Sequence, residues 1–477
     1  LLNEVLLRTV GSEIFFVFVL LAKLMRPKCL TKMGLNFALL LFFVSFLVGG
    51  NGEDLELRMA NVLYRHGDRS PVVTFPKDEH KDYWKQGPGQ LTEIGKKQEF
   101  TMGQFLKQRY VTTKFLNQSY LRKQVHCRSS DKDRCLMSAE AQMAGLYPPI
   151  YLQNLSDPHA KEWQFWQLIP IHTVPKDHDK LLRPYDYNCP RLQEIRQESY
   201  SDPKYVKMAE KYKDFMQKVS TNLGLSKSLT LNTIYQAYDF FFCQRAHSLS
   251  WPSWVTPDVF HNLTILQYFD FFWMFNTPEK ARLTGGVLLG EMIQNMKNFK
   301  KNPQSSNKLH VYSAHDTTVV GLLSALKIYS GIPPPYSTAF LMELYYSKST
   351  LKYFVRMFYR NDTSQPDRAY ELSIPGCEND CPLDSFITLT SSAVPVDYDA
   401  ECHVNQSVCS QQSPCKKDSD NDCTSKSCKD ALTAVVIILL LIFIAFVGYA
   451  VRRCQVNRKS KSLRHFQQIK PDEWDSE

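Results

Sequence analysis

The sequence has 477 residues, of which 44% are hydrophobic and 22% charged, so it is long enough for one large or two medium globular domains. Its formal net charge of +9 is concentrated at the two ends: residues 1–32 and 452–477 contribute +3 each, which leaves +3 for everything between them. Nucleic-acid binding needs a clustered basic face, and the sequence has none. We therefore expect no nucleic-acid partner.

The first hydrophobic segment predicts a secretory signal peptide at residues 33–52. Lys32 precedes Met33, an apolar core follows, and the segment ends in small residues, which is the layout of a cleaved signal. Residues 1–32 begin with Leu and contain another apolar run. We interpret them as an upstream extension of the gene model, with Met33 as the true start. The alternative is a genuine N-terminal signal anchor.

A second apolar segment, residues 431–451, carries no charge over 21 residues and is long enough to cross a bilayer as a helix. Arg452 and Arg453 follow it directly, and the positive-inside bias places the tail, residues 452–477, in the cytoplasm. We predict a single-pass type I membrane protein, lysosomal or at the cell surface, with residues 53–430 on the lumenal or extracellular side.

The 13 cysteines and the N-x-S/T sequons agree with an oxidising, glycosylating compartment. The predicted glycosylation sites are Asn117, Asn154, Asn262, Asn361 and Asn405. Five cysteines from Cys402 to Cys428 fall in a polar stretch before the membrane segment and predict a disulfide-stapled stalk at residues 404–430. The cysteines lack zinc-knuckle spacing and no set of histidines accompanies them, so we expect no metal there.

Three segments of the lumenal region share one pattern: a short β-rich run, then a charged cluster, then a helical pattern. They read RMANVLYRHGDRSP from Arg58, KQVHCRSSDKDRCLMSAEAQMAGLY from Lys123, and KLHVYSAHDTTVVGLLSALKIY from Lys308. In open α/β sheets, ligands bind at the carboxyl ends of strands, close to helix N-termini. We therefore expect the three clusters to form one site although they lie far apart in sequence.

Residues from about 155 to 260 differ in character from the segments around them. They are rich in Trp, Tyr, Pro and Lys and contain helical patterns such as PKYVKMAEKYKDFMQKVSTNL. We interpret them as an insertion that forms a smaller helical cap. After the third cluster, the runs AFLMELYYS and KYFVRMFYR predict a hairpin at the edge of the sheet.

The charged clusters together predict a site for a phosphoryl group. Arg65, Arg69 and Arg128 would repel one another unless an anion lay between them, and guanidinium groups bind phosphate oxygens in pairs. Positive neighbours disfavour the protonated form of His66, which leaves a ring nitrogen able to attack phosphorus. Asp316, at the start of a helical pattern, could protonate the departing alcohol oxygen.

The motif R-H-G-x-R-x-P near the predicted mature N-terminus, with a late H-D after YSA, resembles the histidine acid phosphatase family, and most closely its lysosomal and prostatic branch. The similarity continues through GPGQLTEIGKKQ, RSSDKDRCLMSA, LIPIHTVP, NCPR, SAHDTTV and PGCENDCPL. The resemblance implies an α/β fold over residues 53–403, with a mixed central sheet flanked by helices, as in phosphoglycerate mutases, and an inserted helical cap. It implies no metal and no cofactor.

By matching positions, the resemblance also assigns catalytic roles. The implied nucleophile is His66, the proton donor is Asp316, and the phosphate ligands are Arg65, Arg69, Arg128 and His315. The implied reaction is hydrolysis of phosphate monoesters, on small molecules or peptides, through a phosphohistidine. Taken alone, Arg128 could instead pair with Asp131 or Asp133, but the order and context of the set favour catalysis. Asp68 has no implied role, and we expect it to pair with neighbouring arginines.

The family's disulfides transfer only in part. The resemblance implies bridges between Cys189 and Cys402 and between Cys377 and Cys381. Cys243 matches a family cysteine whose expected partner falls near Ala339, so that bridge is absent or rewired. Cys127 and Cys135 are additions to the family pattern, and we expect them to be buried or to bridge locally.

The stretch FWQLIPIHTVP, with Trp166 and His172, resembles the family's dimer contact, so we expect a homodimer. The alternative is that Trp166 belongs to an ordinary core. Two other functions stay open for the chain as a whole. One is a non-catalytic membrane glycoprotein or receptor with the same fold, and the other is a phosphotransferase that passes the phosphoryl group to an alcohol.

Overall fold

The computed structural model describes residues 55–149, 167–378 and 380–404. The predicted upstream extension, signal peptide, membrane segment and cytoplasmic tail lie outside these residues, as do the stalk from residue 405 onward, Asn154, Trp166 and Asn405. Within the described ranges, no helix combines the length and the hydrophobicity of a membrane span.

The described residues form an α/β fold on an eight-stranded mixed sheet. Its strands are β1 (Leu55–Arg65), β2 (Val125–Ser129), β3 (Ile171–His172), β4 (Leu309–Ala314), β5 (Ala339–Ser347), β6 (Lys352–Arg360), β7 (Tyr370–Leu372) and β8 (Cys381–Pro382). The order is β3-β2-β4-β1-β5-β6-β7, and β8 pairs with β6. Strands β1 to β4 are joined by parallel pairs, whereas β7 and β8 run antiparallel to β6. The mixed sheet expected from the family resemblance is confirmed.

The central strands are buried along most of their length. In β1 every residue from Met59 to Arg65 is buried, and in β4 only His310 is partly exposed. Nearly continuous burial is typical of parallel strands that are covered on both faces. The charged residues that follow these strands therefore mark the points where the chain leaves the sheet.

Twelve α-helices flank or follow these strands in the described residues. They are α1 (Glu93–Leu106), α2 (Asp133–Leu146), α3 (Pro190–Tyr200), α4 (Pro203–Lys211), α5 (Lys213–Leu223), α6 (Tyr235–Ala246), α7 (Pro257–Trp273), α8 (Pro278–Thr284), α9 (Gly286–Lys301), α10 (Asp316–Ala325), α11 (Leu383–Thr390) and α12 (Tyr398–Glu401). Helices α1 and α2 pack with the sheet around a cluster that includes Leu106, Leu146 and Val311.

Helices α3 to α7 lie where the sequence predicts a helical cap. Side chains of α4 to α7 bury a separate hydrophobic cluster, with Val219, Phe241 and Leu263 among its most buried members. We refer to α3–α7 as the helical lobe. The helices of this lobe continue past residue 260, and the predicted boundaries of the cap as a domain stay a prediction.

The residues group into two compact units. The described part of the smaller unit consists of residues 55–56 and Tyr345–Tyr353, in which Lys348 and Glu56 form an ion pair at 3.2 Å. The larger unit contains Leu57–Leu344 and the described residues from Phe354 onward. Every residue of the candidate site belongs to the larger unit.

Disulfides link the cysteine pairs that the family resemblance implied. Cys189 bonds Cys402 across 213 residues of sequence, and Cys377 bonds Cys381 in a short local loop. The other cysteines in the described residues are free and buried: they are Cys127, Cys135 and Cys243. Cys127 and Cys135 therefore do not bridge locally, and Cys243 lacks the family's bridge.

The described glycosylation sequons differ in exposure. Asn117 is exposed, whereas Asn262 and Asn361 are partly buried.

His172 is exposed on β3, which is the edge strand of the sheet, and its ring stacks on His126 with 4.8 Å between the ring centroids.

Candidate active site

The ends of β1, β2 and β4 bring the three sequence clusters together. Arg65 and Ser129, the last residues of β1 and β2, pair in register with the end of β4, which lies between them. The residues that follow therefore meet at one edge of the sheet. The rings of His66 and His315 are 5.6 Å apart, and the Ser130 hydroxyl lies 2.8 Å from Nε2 of His315.

His66 is buried and is held in one orientation. Its Nδ1 lies 2.8 Å from the carbonyl oxygen of Gly67, which can only accept a hydrogen bond, so Nδ1 carries the proton of the neutral ring and Nε2 keeps its lone pair. Burial lowers the pKa of His66, and three nearby positive charges lower it further. These are Arg134, Arg65 and Arg69. A neutral imidazole with a free Nε2 is a competent nucleophile.

The loop that follows His66 packs directly on the first turn of α1. A Cβ atom on Gly67 would lie 2.4 Å from the carbonyl oxygen of Gly95, closer than any real Cβ contact, so the approach requires glycine. The amide of Gly67 donates to the Ser138 hydroxyl at 3.2 Å. The loop is therefore anchored to α1 on one side and to α2 on the other.

Arg65 and Arg69 each have a carboxylate partner. Arg65 forms an ion pair with Asp316 at 2.9 Å and donates to the carbonyl oxygen of Pro334 at 2.6 Å. Arg69 binds Asp239, on α6 of the helical lobe, through two hydrogen bonds of 2.8 and 3.0 Å. Two-point pairing fixes the plane of the Arg69 guanidinium, and its Nε–H finds no acceptor among the described residues.

Arg134, in the first turn of α2, is a site residue that the sequence analysis missed. Its Nη2 lies 3.4 Å from Nδ1 of His315, and among the charged groups it has the largest effect on the pKa of His66. Arg128 instead donates to Asp179 at 2.5 Å. The structure therefore places Arg134 against His315, from where its charge also acts on His66, while the guanidinium of Arg128 is engaged by Asp179.

A signal for this difference exists in the sequence. Alternate residues of a strand point to opposite faces, and on β2 Cys127 and Ser129 are buried whereas Arg128 is only partly so. Arg134 lies at the start of a helix, where free backbone N–H groups favour anions.

The Nε–H groups of four arginines find no acceptor among the described residues: Arg65, Arg69, Arg128 and Arg134.

His315 closes the site opposite His66. Burial lowers its pKa, and the positive charges of Arg183 and Arg134 lower it further, so the ring is neutral. The thiol of Cys135 lies 3.5 Å from Nε2 of His315, and burial raises the pKa of that thiol to about 11. Cys135 is therefore protonated and packs against the ring.

Asp316 is the first residue of α10. Burial raises the pKa of its carboxyl, but the charges of Arg65 and Arg69 and the amide of Thr317, which donates to Asp316 at 2.8 Å, lower it by more. The net pKa lies below the usual value. Without a bound anion, Asp316 is therefore ionised.

Tyr336 is a second site residue that the sequence analysis missed. Its buried ring lies 4.3 Å from the guanidinium carbon of Arg65 and 5.9 Å from that of Arg69. It also faces His66, with 5.9 Å between the ring centroids, and its hydroxyl lies 3.5 Å from the Cys243 sulfur. Arginine side chains stack favourably on aromatic faces, so this ring helps to orient both guanidiniums.

Comparison with known proteins identifies the family to which the sequence belongs. The family described as "Histidine phosphatase superfamily (branch 2)" matches residues 56–360. The chain belongs to the histidine phosphatase superfamily. The matched segment contains both histidines of the site and all of the arginines that surround them.

Relatives cover most of the chain. Prostatic acid phosphatase of Bos taurus is 41% identical over 380 residues, which is 78% of this chain and 94% of that protein. Lysosomal acid phosphatase of Homo sapiens is 42% identical over 369 residues, 76% of this chain and 84% of that protein. Both lie in the branch that the sequence motifs indicated.

Solved structures with the same fold include phytases. Hafnia alvei phytase in complex with tartrate superposes with a TM-score of 0.54 and 18% identity, covering 73% of this chain and 99% of that chain. Citrobacter braakii phytase gives a TM-score of 0.53 and 17% identity over similar shares, 73% and 100%. At these identities the likeness supports the fold alone. Among the described residues, no group of three or more His, Cys, Asp and Glu could hold a metal ion.

Proposed function

We propose that the protein is an acid phosphatase that hydrolyses phosphate monoesters through a phosphohistidine formed on His66. One observation carries the proposal: a buried, neutral histidine with a free Nε2 lies among three arginines. Their combined positive charge favours an anion at this point, and the histidine is the nucleophile beside it. Close relatives named acid phosphatases support the same reaction.

In the first step, Nε2 of His66 attacks phosphorus and the bond to the ester oxygen breaks. The departing oxygen takes a proton from the carboxyl group of Asp316, so the alcohol leaves neutral. In the second step, water attacks the phosphohistidine and gives a proton to the Asp316 carboxylate. Inorganic phosphate leaves, and His66 regains its lone pair.

Asp316 must hold a proton before the first step, and the bound substrate supplies the reason. The positive charges of Arg65 and Arg69 lower the pKa of its carboxyl. A phosphate ester carries negative charge, which offsets these arginines and raises the pKa of Asp316 again. Acidic pH then completes protonation, which is the physical basis for an acid optimum.

The same geometry supports a proposed set of phosphate ligands. We assign Arg65, Arg69, Arg134 and His315 to the phosphoryl oxygens, because their side chains surround His66. The predicted role of Arg128 stays a hypothesis, tested together with Arg134 below. All of these groups address phosphate rather than the alcohol, so we expect a broad range of small-molecule and peptide phosphomonoesters.

The proposal extends to topology and assembly. The apolar segment at residues 431–451 supports a single-pass type I protein, and relatives named lysosomal acid phosphatase support a lysosomal or cell-surface location. The exposed His172 on edge strand β3 supports the expected homodimer. A His172→Asp variant should sediment as a monomer, since a dimer contact would bury an unpaired charge.

The test of the proposed function is His66→Ala, assayed with p-nitrophenyl phosphate at acidic pH. Phosphate release should fall to background, and ³²P label from a labelled ester should remain on the wild-type protein after an alkaline quench but not on the variant. His178→Ala is the matched control, because His178 is exposed and its ring contacts the carboxylate of the neighbouring residue Asp177, away from the site. Wild-type activity in His66→Ala would refute the mechanism.

A further inference from the structure

Asp68 lies between the proposed nucleophile and Arg69, and its partners differ from those expected. The sequence suggested neighbouring arginines, but its carboxylate Oδ2 lies 2.7 Å from Nε2 of His247 and accepts from the Thr92 hydroxyl at 2.5 Å. Asp68 is 1% exposed. A buried carboxylate with two specific donors holds a defined position in the fold.

The backbone of Asp68 is fixed as well. Its amide donates to the side-chain carbonyl of Gln98 at 2.8 Å, and its carbonyl oxygen accepts from the amide of Thr92 at 3.0 Å. Main chain and side chain of one residue therefore tie the loop to the start of α1. The same loop carries His66 two residues earlier and Arg69 one residue later.

His247 reaches this loop from the helical lobe, immediately after the end of α6. Its side chain is 7% exposed, and its Nδ1 lies 3.1 Å from the hydroxyl of Tyr83. The ring of Trp84 packs edge-on against it, with 4.8 Å between the centroids. The imidazole is thus held from three sides: by Asp68, by Tyr83 and by Trp84.

Helix α6 and the residue after it meet the loop after β1, which carries His66, Asp68 and Arg69, at two points. Asp239, in the body of the helix, binds the guanidinium of Arg69, and His247, at its C-terminal end, binds the carboxylate of Asp68. The first contact orients a phosphate ligand. The second acts on the backbone that carries the nucleophile.

We propose that Asp68 and His247 form a positioning pair that holds His66 in line for attack on phosphorus. The proposal rests on the proposed function, because it concerns the placement of that nucleophile. Neither side chain touches the reacting atoms: each acts through the loop. A displacement of about 1 Å in a reacting group costs about 100-fold in rate. Loss of the Asp68–His247 contact should therefore have a measurable effect on kcat.

The contact works in both protonation states of His247. In the neutral ring, Nε2–H donates to Asp68 and Nδ1 accepts from the Tyr83 hydroxyl. In the protonated ring, Nε2–H still donates to Asp68, and Nδ1–H donates to the Tyr83 oxygen. Because Nε2–H is the donor in both forms, an amide that donates from the same position should replace the imidazole.

The decisive experiment compares His247→Ala with His247→Gln in steady-state hydrolysis of p-nitrophenyl phosphate. We expect kcat of His247→Ala to fall by about 10- to 100-fold, from displacement of His66. KM should change by less than about threefold, because Asp239 still orients Arg69. His247→Gln should stay within about fivefold of wild type, since its amide can donate to Asp68.

Two further measurements separate positioning from a merely structural role. His247 lines a surface cavity of 530 Å³ together with Tyr83 and Trp84, so added imidazole can enter the space left in His247→Gly and should restore kcat. The losses in Asp68→Ala and His247→Ala should not add in the double variant if the two act as one unit. Thermal unfolding of each variant checks that it is folded.

Several outcomes would overturn the proposal. They are a kcat of His247→Ala within about threefold of wild type, equal losses in the Ala and Gln variants, or additive losses in the double variant. The result with His66→Ala is judged separately. If that variant is inactive while His247→Ala is unaffected, the positioning role fails and the proposed function stands. If His66→Ala is active, the proposed function itself fails.

Discussion

The guanidinium of Arg65 and the carboxylate of Asp316 lie 2.9 Å apart, where β1 ends and α10 begins. The pair links the proposed phosphate site to the proposed proton donor. Because the charge of Arg65 lowers the pKa of Asp316, the state of the donor depends on what the arginine binds. A phosphate ester that draws the guanidinium away would release the carboxylate to take up a proton.

Asp316→Asn should lose activity according to the leaving group. An amide cannot protonate the departing oxygen, so kcat should fall by about 100- to 10,000-fold for alkyl phosphates. For p-nitrophenyl phosphate the loss should be smaller, because nitrophenolate leaves without protonation. The measurement is kcat for a series of phosphate esters of increasing leaving-group pKa. Equal losses across the series would contradict the role of proton donor.

Arg134→Ala and Arg128→Ala should have different effects. Removing Arg134 takes away a positive charge beside both histidines, so we expect kcat/KM for phosphate esters to fall by about 100-fold or more. Removing Arg128 leaves the buried carboxylate of Asp179 without its ion-pair partner. Arg128→Ala should therefore lower the melting temperature, with a smaller loss of activity than Arg134→Ala.

These two variants are compared by kinetics and by thermal unfolding of the same preparations. A loss of activity in Arg128→Ala equal to that in Arg134→Ala would restore Arg128 to the phosphate site that the sequence analysis gave it. Arg134→Lys is the matched control, since it keeps the charge but not the planar fork.

Tyr336→Leu should weaken binding of inorganic phosphate. The ring lies over the guanidinium of Arg65 and near that of Arg69, and a cation–π contact contributes about 0.5–2 kcal/mol. We expect the inhibition constant for phosphate to rise by about tenfold. Tyr336→Phe keeps the ring and should remain close to wild type. A similar loss in both variants would assign the effect to the hydroxyl, which lies beside Cys243.

His310 should make the fold less stable in acid. Burial lowers the pKa of His310 to about 4, with a further contribution from His126. Between about pH 6.5, the usual value for histidine in an unfolded chain, and pH 4 the unfolded state binds the extra proton, so stability falls as the pH is lowered. His310→Gln should flatten the dependence of the unfolding free energy on pH over this window. An unchanged slope in urea titrations would contradict the prediction.

The sequence by itself determined the family, the central strands and the core of the site. The cluster that contains His66 ends one buried strand and the cluster that contains His315 ends another, and parallel strands deliver such residues to one edge. Because that rule depends only on local sequence patterns, the sequence alone is enough to apply it. The family resemblance also implied the two disulfide pairs, because these cysteines occupy positions that match the family's.

Only the tertiary structure decided which arginine meets His315 and what holds the loop after β1. Arg128 and Arg134 lie six residues apart in one charged cluster, and the direction of each side chain depends on strand alternation and helix phase. His247 and Tyr336 lie 179 and 268 residues from Asp68 in sequence, beyond any local pattern. Contacts of that kind arise from the packing of whole elements, and this packing brings α6 and the segment before β5 onto the loop after β1.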